Sequence, residues 1–161
     1  MSGRTAFLDR DGTINVKAPD HEYVTSPAEF HFLPGAEEAI RLLADAGWRV
    51  VVVTNQRGIA LGRMTAEAVD RIHRVLMELP VAGVYVCPHE KGTCDCRKPS
   101  TGLFLQAKRD FPEIDFARSV MIGDAPSDMT AGQALGCRTI LVGAPPLPSL
   151  LDAARMLVGE G

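Results

Sequence analysis

Four consecutive β-branched residues, Val50-Val51-Val52-Val53, constrain this chain more than any other feature. A strand with one wet face alternates apolar and polar side chains. An unbroken apolar run has no polar side to offer to water, so it must be covered on both faces. Similar short runs occupy Thr5–Leu8, Arg49–Thr54, Val84–Cys87, Ser119–Ile122 and Thr139–Val142. Between them lie segments of helical period. Ala36–Ala46 stacks Ala36, Ile40, Leu43 and Ala44 on one stripe, after Pro34-Gly35 and before Gly47. Thr65 can cap a second helix, whose stripe Val69, Ile72, Leu76 and Leu79 ends at Pro80. Gly102–Phe111, Asp128–Leu135 and Ser149–Val158 supply three more, and Ala144-Pro145-Pro146-Leu147-Pro148 is a stiff connector to the last. Strands alternating with helices predict the α/β class: a parallel sheet with helices on both faces and ligands beyond the carboxyl ends of the strands.

Composition narrows the partners. At 161 residues the chain is long enough for a proper core and short for two, so one domain over 1–161 is expected. A net charge of -3 supplies no broad basic face for nucleic acid or an anionic membrane. No apolar run approaches the ~18 residues that a membrane span needs, and the N-terminal Met-Ser-Gly-Arg-Thr lacks a signal-peptide apolar region. A cytoplasmic protein is the expectation. No helix shows a surplus apolar face, which predicts a monomer.

The first strand runs out into Asp9-Arg10-Asp11-Gly12-Thr13, so two carboxylates one residue apart leave the sheet on the same side. The fourth ends in Gly123-Asp124-Ala125-Pro126-Ser127-Asp128, which adds an acid at the strand tip and another at the start of the next helix. Like charges gathered at one edge repel each other and any anionic substrate unless a divalent cation and a cationic side chain offset them. Oxygen-only ligands favour magnesium. Taken singly, Asp11 and Asp128 also read as ordinary turn or N-cap residues. The second strand ends in Thr54-Asn55-Gln56, whose hydroxyl and amides could hold a phosphoryl oxygen. Arg97-Lys98-Pro99 opens a helical segment and offers a fixed cationic point beside the acids.

Cys87-x-His89 followed by Cys94-x-Cys96 is the ligand set of a closed tetrahedral structural zinc site, in a loop over 87–96. A Cys87–Cys94 bridge or unliganded thiols are the alternatives. Pro88, Glu90, Lys91 and Gly92 give the loop no apolar anchor, so a metal would be what fixes it, and with it Arg97 and Lys98. Cys137 is left over and reads as plain core.

Asp-x-Asp-Gly-Thr, a strand-end Thr-Asn, a pre-helical Lys and Gly-Asp-x-x-x-Asp, in that order over most of the chain, resemble the four motifs of the haloacid-dehalogenase superfamily. The resemblance implies a Rossmann-like sheet without a large cap domain and a phosphatase that forms an aspartyl-phosphate. Asp9 would attack phosphorus. Asp11 would protonate the leaving oxygen and later activate water, and Thr54 and Lys98 would stabilise the phosphoryl group. Magnesium would be held by the Asp9 carboxylate, the Asp11 backbone carbonyl and Asp124, with Asp128 as a ligand or close neighbour.

Cys-Pro-His and Cys-Asp-Cys-Arg-Lys-Pro resemble the small zinc-containing subfamily that holds heptose-1,7-bisphosphate 7-phosphatases and histidinol-phosphate phosphatases. Tyr23-Val24, Phe30-x-Phe32 and Val53-Thr54-Asn55-Gln56-x-Gly58-Ile59-Ala60-x-Gly62 look more like the heptose enzymes. By that likeness Asp20, His21, Glu22 and Tyr23 would line a phosphorylated sugar with Asn55, Gln56, Arg57 and Arg97, and Arg97 would hold the phosphate that is not cleaved. Read without it, His21 and Tyr23 are a surface turn with a packed aromatic. The chain departs from the heptose pattern in a shorter zinc loop, in Glu22 for a glycine and in Ala125 for a lysine. A histidinol phosphatase is the near alternative, and a catalytically silent zinc-stabilised binding module the alternative of another class.

Overall fold

The computed structural model describes residues 3–160, which leaves Met1, Ser2 and Gly161 of the sequence reading outside it. Among the described residues five strands and five α-helices alternate: β1 Thr5–Leu8, α1 Ala36–Asp45, β2 Arg49–Asn55, α2 Ala66–Leu76, β3 Gly83–Cys87, α3 Gly102–Asp110, β4 Val120–Gly123, α4 Pro126–Ala134, β5 Arg138–Leu141 and α5 Leu150–Glu160. The strands form one sheet in the order β3-β2-β1-β4-β5. Every neighbouring pair is parallel, with Phe7 of β1 opposite Val51 of β2 and Met121 of β4.

The valine run divides as its lack of alternation requires. Val50 and Val52 enter a core with Ile40, Leu43, Ile72, Leu76 and Leu157, and Val51 and Val53 enter a second core with Leu103, Phe104, Met121 and Ala131. β1 splits in the same way, Ala6 and Leu8 to the first core and Phe7 to the second. Helices α1, α2 and α5 therefore cover one face, and α3 and α4 the other.

Element ends differ from the sequence expectation by one to three residues. α4 starts at Pro126, because proline is well accommodated in a first helical turn; Asp128 sits at its third position and accepts from the Ala125 N–H at 3.2 Å. α2 stops at Leu76, and Leu79, expected on its stripe, lies in a turn where its N–H meets the Leu76 carbonyl at 3.0 Å; it is buried all the same. Thr65 caps α2 as read, its Oγ1 accepting from Ala68 N–H at 3.1 Å. Among the described residues, no helix is long and apolar enough to cross a membrane.

With β1 central and the chain winding first to β2 and β3, then to β4 and β5, the order reverses at β1. A crevice opens there at the carboxyl edge. Because β2 is buried on both faces, Val51→Thr and Val52→Thr should each destabilise the protein by about 1–3 kcal/mol through a stranded hydroxyl. Urea titration of both variants checks this; tolerance of either one would mean that its face is wet.

Candidate active site

Asp9, one residue past β1, Asp124, one past β4, and Asp128 in α4 bring carboxylate oxygens within 4.8 Å of one another. Such crowding needs room as well as counter-charge. A Cβ on Gly12, where φ is +86°, would lie 2.1 Å from Asp124 Oδ2, and one on Gly123 would lie 2.2 Å from Asp128 Oδ2. Glycine is the one residue that allows the acids this close to the backbone.

Lys98 supplies the counter-charge. Its Nζ donates to Asp9 Oδ1 and to Asp128 Oδ1, both at 2.7 Å, and only 3% of the residue is exposed. Burial works against its charge, but the two carboxylates outweigh burial and raise its pKa above the usual lysine value. Asn55 locks it in place: its Oδ1 accepts from Lys98 N–H at 3.0 Å and its Nδ2 donates to the Lys98 carbonyl at 3.1 Å. Asn55 was expected among the substrate contacts. Its amide is engaged with Lys98, although the residue still lines the cavities described below.

Three carboxylates face the buried Lys98 ammonium and the exposed Lys17, 3.8 Å from Asp124 Oδ2, so acids still outnumber cations. Burial first, then Asp9 beside it, push Asp124 up to about 7. Burial and Asp9 also raise Asp128. An oxygen-only donor set in this charge deficit fits a hard divalent cation such as magnesium. Both oxygens of Asp128 are engaged, one by Lys98 and one by the Ala125 N–H, so it also fills the helix-capping role that its position allows.

Asp11 faces a different environment. Its Oδ1 accepts from Arg10 Nη2 at 2.8 Å, Arg10 Nε at 3.2 Å and Asn15 Nδ2 at 2.9 Å, and its Oδ2 from Gln56 Nε2 at 2.9 Å. Burial would raise its pKa, but Arg10 with the Asn15 and Gln56 amides outweighs burial and lowers it, so the resting carboxyl is ionised. Gln56 Nε2 also reaches Thr54 Oγ1 at 2.9 Å, which joins the end of β2 to Asp11.

Asp11, Asn55 and Gln56 form one wall of a cavity of about 200 Å³, and Asp20, His21, Glu22 and Tyr23 form the other. The segment is the exposed turn that its polarity suggests, with His21 at φ 66°, and it also borders the site. A larger cavity of about 510 Å³ lies on the far side of Asn55, lined by Lys91, Arg97, Lys98 and Ser127 among others. Arg97 Nη1 is buried there without a hydrogen-bond partner among the described residues. Arg57 lines neither cavity. Lys17, not singled out in the sequence, lines the smaller cavity and stands 3.8 Å from Asp124 Oδ2.

The sequence reading also missed Arg10 and His73. Arg10 is fully buried, and His73 lies on α2 against it. One signal was available: 69, 73 and 76 fall on one helical face, so His73 shares the stripe of Val69 and Leu76.

Cys87, His89, Cys94 and Cys96 gather as expected. Cys87 Sγ lies 3.5 Å from Cys94 Sγ and 3.6 Å from His89 Nδ1; Cys96 Sγ lies 3.2 Å from His89 Nδ1 and 3.6 Å from Cys94 Sγ. Zinc–sulfur bonds of ~2.3 Å give a tetrahedron with edges of about 3.8 Å, close to this spacing. A disulfide needs ~2.05 Å, and all four cysteines are free. The donor set fits zinc. Cys96 and Cys87 also belong to the α3-side core, so the cluster is anchored to the fold.

A carboxylate held by a lysine at the reversal point of a parallel sheet, beside a second carboxylate in a donor cage, defines a phosphoryl-transfer hydrolase of the haloacid-dehalogenase class. A HAD-hydrolase-like family model matches residues 95–144. The D-glycero-beta-D-manno-heptose-1,7-bisphosphate 7-phosphatase of Vibrio cholerae is 42% identical, across 86% of this chain and 80% of its own. That of Escherichia coli K12 is 39% identical, across 96% and 87%. The crystal structure of D,D-heptose 1,7-bisphosphate phosphatase from B. bronchiseptica, complexed with magnesium and phosphate, superposes with a TM-score of 0.87 at 30% identity, covering 98% of this chain and 99% of that one. The chain belongs to this family of heptose-bisphosphate phosphatases.

Two expectations follow. Asp124 must be ionised to ligate a cation, so magnesium affinity should be level above pH 7 and fall about tenfold per unit below it as the proton competes. Calorimetric titration at pH 6, 7 and 8 measures the slope; an affinity independent of pH would remove Asp124 from the ligand set. A zinc held by the four-residue cluster should appear as about one equivalent per chain in metal analysis, and Cys96→Ser should lower Tm by roughly 4–8 °C, the shift for ~2 kcal/mol in a domain this size. An unchanged Tm would make the cluster ornamental to stability.

Proposed function

We propose that this phosphatase removes the 7-phosphate of D-glycero-beta-D-manno-heptose 1,7-bisphosphate, with Asp9 as nucleophile, as one domain over 1–161 acting as a monomer whose site residues all come from one chain. The carrying observation is the Lys98 ammonium, 2.7 Å from Asp9 Oδ1 and from Asp128 Oδ1. It holds one oxygen of Asp9 and leaves the other to attack phosphorus. The Asp9–phosphorus bond forms as the ester P–O bond breaks, and Asp11 gives its proton to the departing alkoxide. Asp11 rests ionised; it takes that proton from solvent as the substrate's phosphate charge arrives and raises its pKa, and returns one to solvent when inorganic phosphate departs. In the second displacement Asp11 takes a proton from water, water attacks phosphorus, and the Asp9 carboxylate leaves.

Thr54, which receives the Gln56 amide, lies at the end of β2 where an equatorial phosphoryl oxygen would be held. Asp9, Asp124 and the Asp11 carbonyl would hold magnesium, with Asp128 beside them; when bound, the ion neutralises charge on the phosphoryl oxygens. Zinc on Cys87, His89, Cys94 and Cys96 would fix the loop leading into Arg97 and Lys98. Asp20, His21, Glu22 and Tyr23 would bound the sugar, with Gln56 opposite. The unpaired Arg97 Nη1 in the larger cavity supports a second phosphate at that end. Arg57, away from both cavities, has no support as a substrate contact.

Phosphate release from both anomers of the bisphosphate and from histidinol phosphate, with magnesium, tests the reading. The bisphosphate should be preferred in kcat/KM by about a hundredfold, roughly 2.7 kcal/mol of transition-state discrimination, and Asp9→Asn should abolish turnover of either. Preference for histidinol phosphate would overturn the substrate but keep the mechanism. Turnover that survives in Asp9→Asn would overturn both.

A further inference from the structure

Arg10 carries the least expected burial in the molecule: its guanidinium is fully buried. A buried guanidinium must find acceptors for its donors. Nε and Nη2 go to Asp11 Oδ1, at 3.2 and 2.8 Å, and Nη1 meets His73 Nε2 at 3.0 Å. The Phe30 ring lies 5.7 Å from the guanidinium carbon. The Arg10 carbonyl accepts the N–H groups of Thr13, Ile14 and Asn15, so its backbone is fixed as well.

Arginine only donates, so the imidazole nitrogen facing it must accept. His73 is therefore neutral, with its proton on Nδ1. Burial and the neighbouring Arg10 charge drive its pKa down to about 3, which keeps it neutral across the working range.

We propose that His73 is a positioning residue for the acid–base group: its Nε2 sets the rotation of the Arg10 guanidinium, whose Nε and Nη2 both anchor Asp11 Oδ1 and so, with Gln56 on Oδ2, orient the carboxylate that serves the leaving oxygen. This rests on the role given to Asp11 above. The consequence is selective. A departing sugar alkoxide needs a proton from a well-aligned Asp11, whereas p-nitrophenolate departs without one.

The test compares kcat/KM, which reports the first displacement, for heptose 1,7-bisphosphate and p-nitrophenyl phosphate in wild type, His73→Leu and His73→Gln. His73→Leu should lose about 10–100-fold on the sugar phosphate and less than about threefold on the aryl ester, and His73→Gln, whose side-chain oxygen can accept, should stay within about threefold of wild type on both. Equal losses on both substrates, or a His73→Gln variant as selectively impaired as His73→Leu, would overturn the proposal. ¹⁵N NMR of wild-type His73 decides independently of turnover and of how the leucine variant folds: a bare Nε2 is expected, and a protonated Nε2 overturns it. Aryl-ester turnover that persists in Asp9→Asn would instead sink the phosphatase reading, leaving the tautomer measurement to decide this one.

Discussion

The bridge from Lys98 to Asp9 and Asp128 is the interaction on which the rest of the site depends. An isolated ammonium with its exposure would be strongly disfavoured, and so would the two carboxylates. Together they are tolerable, because each charge lies at hydrogen-bond distance from its opposite. Removing the lysine would leave Asp9, Asp124 and Asp128 as mutually repelling acids, and removing either bridged carboxylate would leave the buried cation with a single partner. The position of Lys98 is accordingly fixed through its backbone by Asn55, at the end of a strand buried along six of its seven residues. The two-sided burial of β2 is thus a functional constraint: it supplies the rigid point from which the cation is held.

The acids of the cluster outnumber their cations even with Lys17 beside Asp124, and burial together with Asp9 raises Asp124. That frustration is what a metal site looks like when assembled from protein alone. Glycines at 12 and 123 leave room for the acids to lie this close to the backbone, and Lys98 with the Ala125 N–H holds them there. Repulsion held in place in this way favours binding of a divalent ion over any rearrangement of the chain.

Much of this was legible in sequence because its signals are local. The valine run needed only its lack of alternation, Asp9 and Asp124 only their places just beyond strands, and the zinc ligands only their spacing. Asn55 was legible as a site residue but not as a clamp, since its partner Lys98 is 43 positions away. Arg10 and His73 were opaque for the same reason. Between two acids an arginine reads as a surface residue, and its burial becomes visible only when α2, 63 residues later, lays a histidine against it. Arg57 was named through the likeness to the heptose enzymes and through no local signal, and it borders neither cavity.

The two carboxylates of β1's tail are held from opposite faces of the sheet. Asp9 is gripped by Lys98, whose loop runs from the zinc cluster into α3 and the core that contains Val51 and Val53. Asp11 is gripped by Arg10, which lies against Phe30 and against α2, members of the core that contains Val50 and Val52. A nucleophile and an acid–base group only two residues apart would otherwise move together with the strand. Support from separate layers lets each be oriented on its own: Asp9 by a charge that leaves one oxygen free to attack, and Asp11 by two guanidinium donors and the Asn15 amide on one oxygen and the Gln56 amide on the other. The valine strand between the layers keeps the two supports in register, so the feature that most constrains the fold also sets the spacing of the chemistry.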